Sequence, residues 1–208
     1  MILQLFPTQI YYDSLYTSAA KTKQTLKDLR GDIKKIHNSD EEGQRWSKRN
    51  YLGGYTSFAS WDRLHQMSPY FGELEVAINS HVRKYSHKLE LDIPARELQM
   101  TSCWVNIMPA QVVHTMHIHP LSVISGTFYV TIPRGASPLK FEDPRHECFM
   151  GSPPRKAEAH PRNQRFYQLQ PKEGHVVLFE SWQRHEVPAN PAAGERISVS
   201  FNYDWIRR

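Results

Sequence analysis

The sequence predicts a mainly β domain with helices packed against one face of a two-sheet core. Three observations lead there. Beyond Pro94, seven short runs rich in β-branched and aromatic residues (98–108, 112–119, 126–132, 139–141, 166–169, 175–179 and 197–203) follow one another between Pro, Gly and Asn punctuation, the rhythm of a barrel or sandwich. Before Pro94, helical periodicity dominates. Along 196–203, polar residues (Arg196, Ser198, Ser200, Asn202) alternate strictly with apolar ones (Ile197, Val199, Phe201, Tyr203), so one strand face is apolar and the other polar. Helices first and strands afterwards suggest helices that buttress one sheet.

In chain order, residues 3–12 read as an opening strand, with Pro7 pointing to a sheet edge. Residues 18–37 read as an exposed helix that Gly31 interrupts or ends. Residues 38–52 are polar, with Trp46 as an aromatic anchor, and 53–58 read as an ordered connector, with a short strand or a loop near the pocket as the alternative. The strongest helix spans 70–91, where Leu74, Ile78, Val82, Tyr85 and Leu89 recur at three- and four-residue spacing. Residues 145–165 form a long loop rich in proline and cations, the kind that often acts as a lid. The expectation is one domain over 1–208, with 1–95 as helix-rich support and 96–208 as the β-core that holds the site.

Composition narrows the function classes. With 39% apolar and 12% aromatic residues the chain is neither disordered nor membranous. No run approaches the roughly 20 apolar residues of a membrane-spanning helix. The opening lacks the basic and apolar regions of a signal peptide, and Cys103 and Cys148 make no disulfide framework, so a cytoplasmic protein is expected. The net charge of +5 is spread along the chain with no binding motif beside it, so nucleic acid is not an expected partner.

The chemistry centres on His117-Ile118-His119. In an extended strand, side chains at i and i+2 share a face, so two imidazoles can grip one metal. His185 is a third candidate ligand. Arg196 offers a rigid fork for a carboxylate, with Ser198 two residues on as a second donor. Tyr129 could add a phenolic hydrogen bond to the same acid, and Asn106 and Asn202 could line the pocket. His114 stands at an odd offset from His117 and would face away in a regular strand, unless a turn at Thr115-Met116 brings it round to the pocket. Of the other histidines, His175 reads as structural, and His37, His65, His81, His87, His146 and His160 as solvated or hydrogen-bonded. Trp182 is expected to pack beneath His185.

Together, His-x-His-Pro-x-Ser, Ser-Gly-x-x-Tyr-Val, Pro171-x-x-Gly174, Leu-Phe-x-Ser-Trp-x-x-His-x-Val-Pro (178–188) and Arg-Ile-Ser-x-Ser-Phe-Asn resemble the 2-oxoglutarate/Fe(II)-dependent oxygenases, and more narrowly their bacterial hypothetical-protein branch. The resemblance covers 100–205 and, weakly, Leu5-Phe6-Pro7. It implies a double-stranded β-helix (jelly-roll) core with Fe(II) at its open end. It further implies 2-oxoglutarate as co-substrate, oxidatively decarboxylated with dioxygen to succinate and CO2, and a ferryl formed in that step that attacks a C–H bond of a small-molecule or side-chain substrate. By position, His117 and His185 match the outer ligands, and Arg196 with Ser198 the site for the far carboxylate. The departure is at 119, where that family has Asp or Glu. His119 either ligates, or yields to a carboxylate such as Asp143 or Glu180, or leaves a place for water or halide. Two other functions remain open: a cupin-like three-histidine metalloprotein without a 2-oxo acid, and a non-catalytic small-acid-binding barrel. A homodimer is compatible with such a scaffold.

Overall fold

The computed structural model describes residues 1–3, 5–145 and 150–207; His146 and Cys148, read above, lie outside the described residues. Among the described residues the chain runs β1 (Tyr11–Ser14), α1 (Ala19–Ser39), α2 (Glu41–Asn50), β2 (Tyr55–Thr56), α3 (Leu64–Met67), α4 (Pro69–Lys88), β3 (Leu98–Met108), β4 (His114–His117), β5 (Ile124–Thr131), β6 (Leu139–Glu142), β7 (Phe166–Leu169), β8 (His175–Glu180), β9 (His185–Val187) and β10 (Arg196–Trp205).

Six strands form one sheet in the order β1-β8-β5-β10-β3-β2, and four form another in the order β4-β9-β6-β7. All pairings between these strands are antiparallel. From β3 to β6 successive strands alternate between the sheets, β7 stays beside β6, and β8 to β10 alternate again. That wrapping is a double-stranded β-helix, and it places the residues between the two sheets in an enclosed slot.

Helices α1 and α4 cover the outer face of the large sheet. Leu26, Leu29, Ile33 and Ile36 of α1, and Phe71, Leu74, Ile78, Val82 and Tyr85 of α4, form stripes at helical spacing. They join Val199, Phe201 and Tyr203 of β10 in one buried cluster. The apolar face of the last strand therefore meets the helices, and its polar face looks into the slot. A second cluster (Met108, Tyr129, Leu139, Phe141, Phe179, Val187) fills the space between the sheets. A bulge in strand β3 keeps Leu98 and Met100 before it and Cys103, Val105 and Ile107 after it in the helix-side cluster. Asn202 pairs with Ser102 while Tyr203 pairs with Met100, so Thr101 is the extra residue and inverts the in–out parity along the strand. Gly126 of β5 lies where an added Cβ would stand 2.6 Å from the Phe201 ring and the Val177 carbonyl, so the strands tolerate no side chain there.

Several expectations change. The opening strand is Tyr11–Ser14 rather than 3–12. Gly31 neither interrupts nor ends α1, which runs on to Ser39, because Ser18 caps the start and the buried stripe continues to Ile36. Residues 41–50 are helical, and Trp46 is not an anchor but 38% exposed. Asp40 organises that region: its carboxylate caps α2 through the Gly43 N–H (2.9 Å) and accepts from Tyr55 Oη (2.8 Å) and Ser60 Oγ (2.6 Å). The segment 53–58 contains β2, the short-strand alternative, paired to Ile107 and Asn106 at the edge of the six-stranded sheet. Of the loop 145–165, the described part holds one 3-10 turn, Pro161–Asn163. No helix among the described residues is long and apolar enough to cross a membrane.

Candidate metal and acid-binding site

Strands β4 and β9 bring the first two histidines together, with His117 directly across from His185 in the ladder. His119 follows just past β4, where its N–H donates to the Ser181 carbonyl (2.9 Å) and fixes the turn. The ligand atoms of His117, His119 and His185 all lie within 4.8 Å of one another. His119 Nε2 and His185 Nε2 are 3.3 Å apart. Two cis ligands on a metal with bonds of about 2.1 Å stand about 3.0–3.4 Å apart, so the spacing fits a shared cation. His117 Nδ1 donates to the Thr115 carbonyl and His185 Nδ1 to the Gln183 carbonyl, both at 2.8 Å, which leaves each Nε2 as a lone-pair donor aimed inward. Asn202 lies beside the His119 ring, where it favours the charged form, and accepts from Ser125 Oγ at 2.8 Å. Neither Asp143, engaged with Arg145, nor Glu180 joins the cluster.

Electrostatics prepare these rings for a cation. Burial pushes the pKa of His119 down to about 4, helped by the neighbouring His117, and that of His185 well below its usual value. Burial also lowers His117, against the Thr115 carbonyl, which favours the charged form. The rings are thus neutral near pH 7, the form that ligates. Phe179 packs on His185 with ring centres 4.5 Å apart, and Trp104 lies 5.9 Å from His119. Trp182 is not beneath His185: it is 46% exposed, because it precedes β9 in a turn whose inner side Phe179 already fills.

Arg196 opens β10 across the slot and is only 2% exposed. Its Nη1 reaches Ser198 Oγ (3.4 Å) and Met108 Sδ (3.7 Å), and its guanidinium lies 5.3 Å from the centre of the Tyr129 ring. No carboxylate pairs with it among the described residues. Arg196 Nε, Tyr129 Oη, Tyr51 Oη and Asn106 Oδ1 are all buried without a hydrogen-bond partner. Burial pushes both phenols up in pKa, so they stay protonated and able to donate. An unpaired buried guanidinium costs several kcal/mol, roughly, unless an anion joins it. The residues therefore fit a carboxylate guest at this end and a metal at the other.

The cavity between them is narrow, with a volume of about 30 Å3, and its lining includes Trp104, Asn106, His114, Thr127 and Ser200. His114 does face it. A register shift in β4 between His114 and His117 turns the two rings to the same side, stacked 4.6 Å apart and 17° from parallel. A larger cleft of about 390 Å3 opens on the helix side of β3, lined by Glu75, Arg83 and Arg96 among others, but among the described residues it contains no cluster of ligating groups. Chemistry rather than size selects the site. Sequence reasoning missed Tyr51, which arrives from the end of α2 against His114 (ring centres 5.4 Å apart).

Solved structures with this wrapping include a prolyl-4-hydroxylase from Pseudomonas putida, 14% identical over 97% of this chain and 94% of that one, with TM-score 0.62. HygX from Streptomyces hygroscopicus, crystallised with nickel and 2-oxoglutarate, is 12% identical over 95% of this chain and 83% of that one, with TM-score 0.64. The non-heme α-ketoglutarate-dependent epimerase SnoN of nogalamycin biosynthesis is 12% identical over 95% and 77%, with TM-score 0.68. At these identities the likeness is one of fold. No curated protein matches the chain. Its sequence does match a family model across the strands that carry the three histidines and Arg196: residues 102–202 are similar to the family described as "Putative 2OG-Fe(II) oxygenase".

Proposed function

We propose that this oxygenase hydroxylates a small molecule or an amino-acid side chain, with His117, His119 and His185 as the iron ligands and Arg196, Ser198 and Tyr129 as the seat of the far carboxylate of 2-oxoglutarate. The observation that carries the reading is the buried guanidinium of Arg196, unpaired and facing the three-histidine cluster across one cavity. A metalloprotein without an acidic co-substrate has no use for that cation.

Bound Fe(II) with 2-oxoglutarate supplies oxidative chemistry: the acid loses CO2 to become succinate, one oxygen atom from O2 entering succinate and the other the substrate. The chain's own residues bind and orient. The Thr115 and Gln183 carbonyls hold two imidazoles in the ligating tautomer. Arg196 and Ser198 fix the far carboxylate, and protonated Tyr129 donates to it. Trp104, Phe179 and Leu139 keep the walls apolar, so water is scarce where charge is held. Three neutral ligands leave the metal one charge more positive than two histidines and a carboxylate would, which favours capture of an anionic co-substrate.

The test is anaerobic titration of the Fe(II)-loaded protein with 2-oxoglutarate, followed by succinate assay in air. A visible charge-transfer band and substrate-independent succinate are expected. Tight metal binding with neither signal would favour the cupin-like alternative.

A further inference from the structure

His114 is the imidazole in the cavity whose nitrogens nothing uses. His117 and His185 each commit Nδ1 to a carbonyl, and His119 is engaged by Asn202 and His185. Among the described residues, His114 makes no hydrogen bond through either ring nitrogen, although two aromatic rings hold it. His117 stacks at 4.6 Å and Tyr51 packs at a tilt at 5.4 Å. A ring held by two neighbours with both nitrogens unengaged is preorganised to hydrogen-bond a guest.

Its aim comes from an irregularity in the strand. Three residues along a regular strand, His114 would point away from His117. The register shift in β4 re-aims it into the slot, a use to which β-bulges beside active sites are put. His114 lines the same cavity as His119 and Arg196. Its stacking on His117 places it at the metal-ligand end of that cavity, beside an acid held between the histidines and the guanidinium.

We infer that His114 binds the 2-oxo-carboxylate end of the co-substrate, by a hydrogen bond from an unengaged ring nitrogen, while Arg196 holds the far carboxylate. The inference rests on the reading of the site given above and adds a second anchor to it.

Two probes separate the ends: 2-oxoglutarate, which has both, and pyruvate, which has the 2-oxo acid end alone. Calorimetry on the Ni(II)-loaded protein, inert to turnover, reads each affinity. His114→Ala should weaken both acids by about ten-fold, the loss of one charge-assisted hydrogen bond, and His114→Gln should recover part of it. Arg196→Ala should weaken 2-oxoglutarate and leave pyruvate unchanged. Ni(II) affinity should be the same in His114→Ala and wild type. Unchanged pyruvate affinity in His114→Ala would overturn the inference. So would a parallel loss of metal affinity, which would reduce His114 to a prop for His117. If wild type binds pyruvate and 2-oxoglutarate equally, the assignment of Arg196 fails while that of His114 stands. Failure of wild type to bind either acid would sink the parent reading and the inference together.

Discussion

His119 Nε2 and His185 Nε2 face each other at 3.3 Å with their rings 3° from parallel. His185 has committed its Nδ1–H to the Gln183 carbonyl, so its Nε2 presents a lone pair toward the His119 ring. A cation at that point would take the lone pairs of both rings. The strands do not merely tolerate the approach: His117 is across the ladder from His185, and the Ser181 carbonyl pins the turn that carries His119.

Each of the three rings is therefore expected to matter to metal affinity. His185→Ala and His119→Ala should each weaken Fe(II) or Ni(II) binding by about 100-fold or more, beyond the 10–100-fold that losing an outer-shell partner costs. Metal content after dialysis, read by elemental analysis, checks this. Full occupancy in His119→Ala would reduce the centre to two histidines and leave the third position to solvent.

Arg196 allows a test in which stability and function move apart. Its burial without a carboxylate is unfavourable in the acid-free protein, and burial holds its pKa below the usual arginine value. Arg196→Met keeps the aliphatic bulk beside Met108 and removes the charge. Melting temperature without co-substrate should hold or rise, by an amount corresponding to about 1–2 kcal/mol, while 2-oxoglutarate no longer raises it. A large fall in melting temperature, with added 2-oxoglutarate still protecting, would contradict the assigned role.

The pH dependence has a defined sign. Burial lowers His119 to about 4 and His114 to about 3, each with smaller contributions from neighbouring cations, and His185 moves the same way. In the unfolded chain a histidine takes up its proton near pH 6.5, so below that pH the unfolded state binds more protons than the folded one. The metal-free protein should be fully stabilised by these groups above about pH 6.5 and lose that stability as pH falls toward 4. Chemical denaturation at a series of pH values, with an inert metal as the second arm, reads it. The metal-loaded form should begin to lose stability at lower pH, since bound imidazoles cannot protonate.

Much of this was legible in the chain, for identifiable reasons. Strands 98–108 and 166–169 begin and end where their β-rich runs do, and the alternation from Arg196 to Tyr203 announces both the cavity face and the helix face of β10. What stayed hidden depends on contacts distant in sequence or on local irregularity. Helix α2 is polar throughout and is held by its Asp40 cap rather than by an apolar stripe. Strand β9 has three residues, too few to show a period. The shift that aims His114 inward has no glycine to mark it, and Tyr51 reaches the His114 ring from an element that carries no chemistry of its own.

Two helical glycines close the argument, because alanine should move stability in opposite directions at each. Gly31 lies in the middle of α1 on the solvent side, with nothing within 4 Å of an added Cβ. Alanine there restricts the unfolded chain and fits the helix, so Gly31→Ala should stabilise by about 0.5–1 kcal/mol. Gly43 sits in the first turn of α2, where a Cβ would stand 2.0 Å from Asp40 Oδ2 and 2.6 Å from Ser60 Oγ. The carboxylate would have to leave the Gly43 N–H, and Tyr55 Oη and Ser60 Oγ would lose their shared acceptor. A lost cap plus buried orphan donors should cost about 2–4 kcal/mol, or roughly 4–16 °C in melting temperature for a domain of this size. Because Tyr55 carries β2 against Ile107 and Asn106, Gly43→Ala should also raise the concentration of 2-oxoglutarate needed for half-maximal succinate formation, whereas Gly31→Ala should leave it unchanged. Thermal melts with succinate assays on both variants decide it, and equal effects at the two positions would show that Asp40 does not tie α2 to the cavity wall.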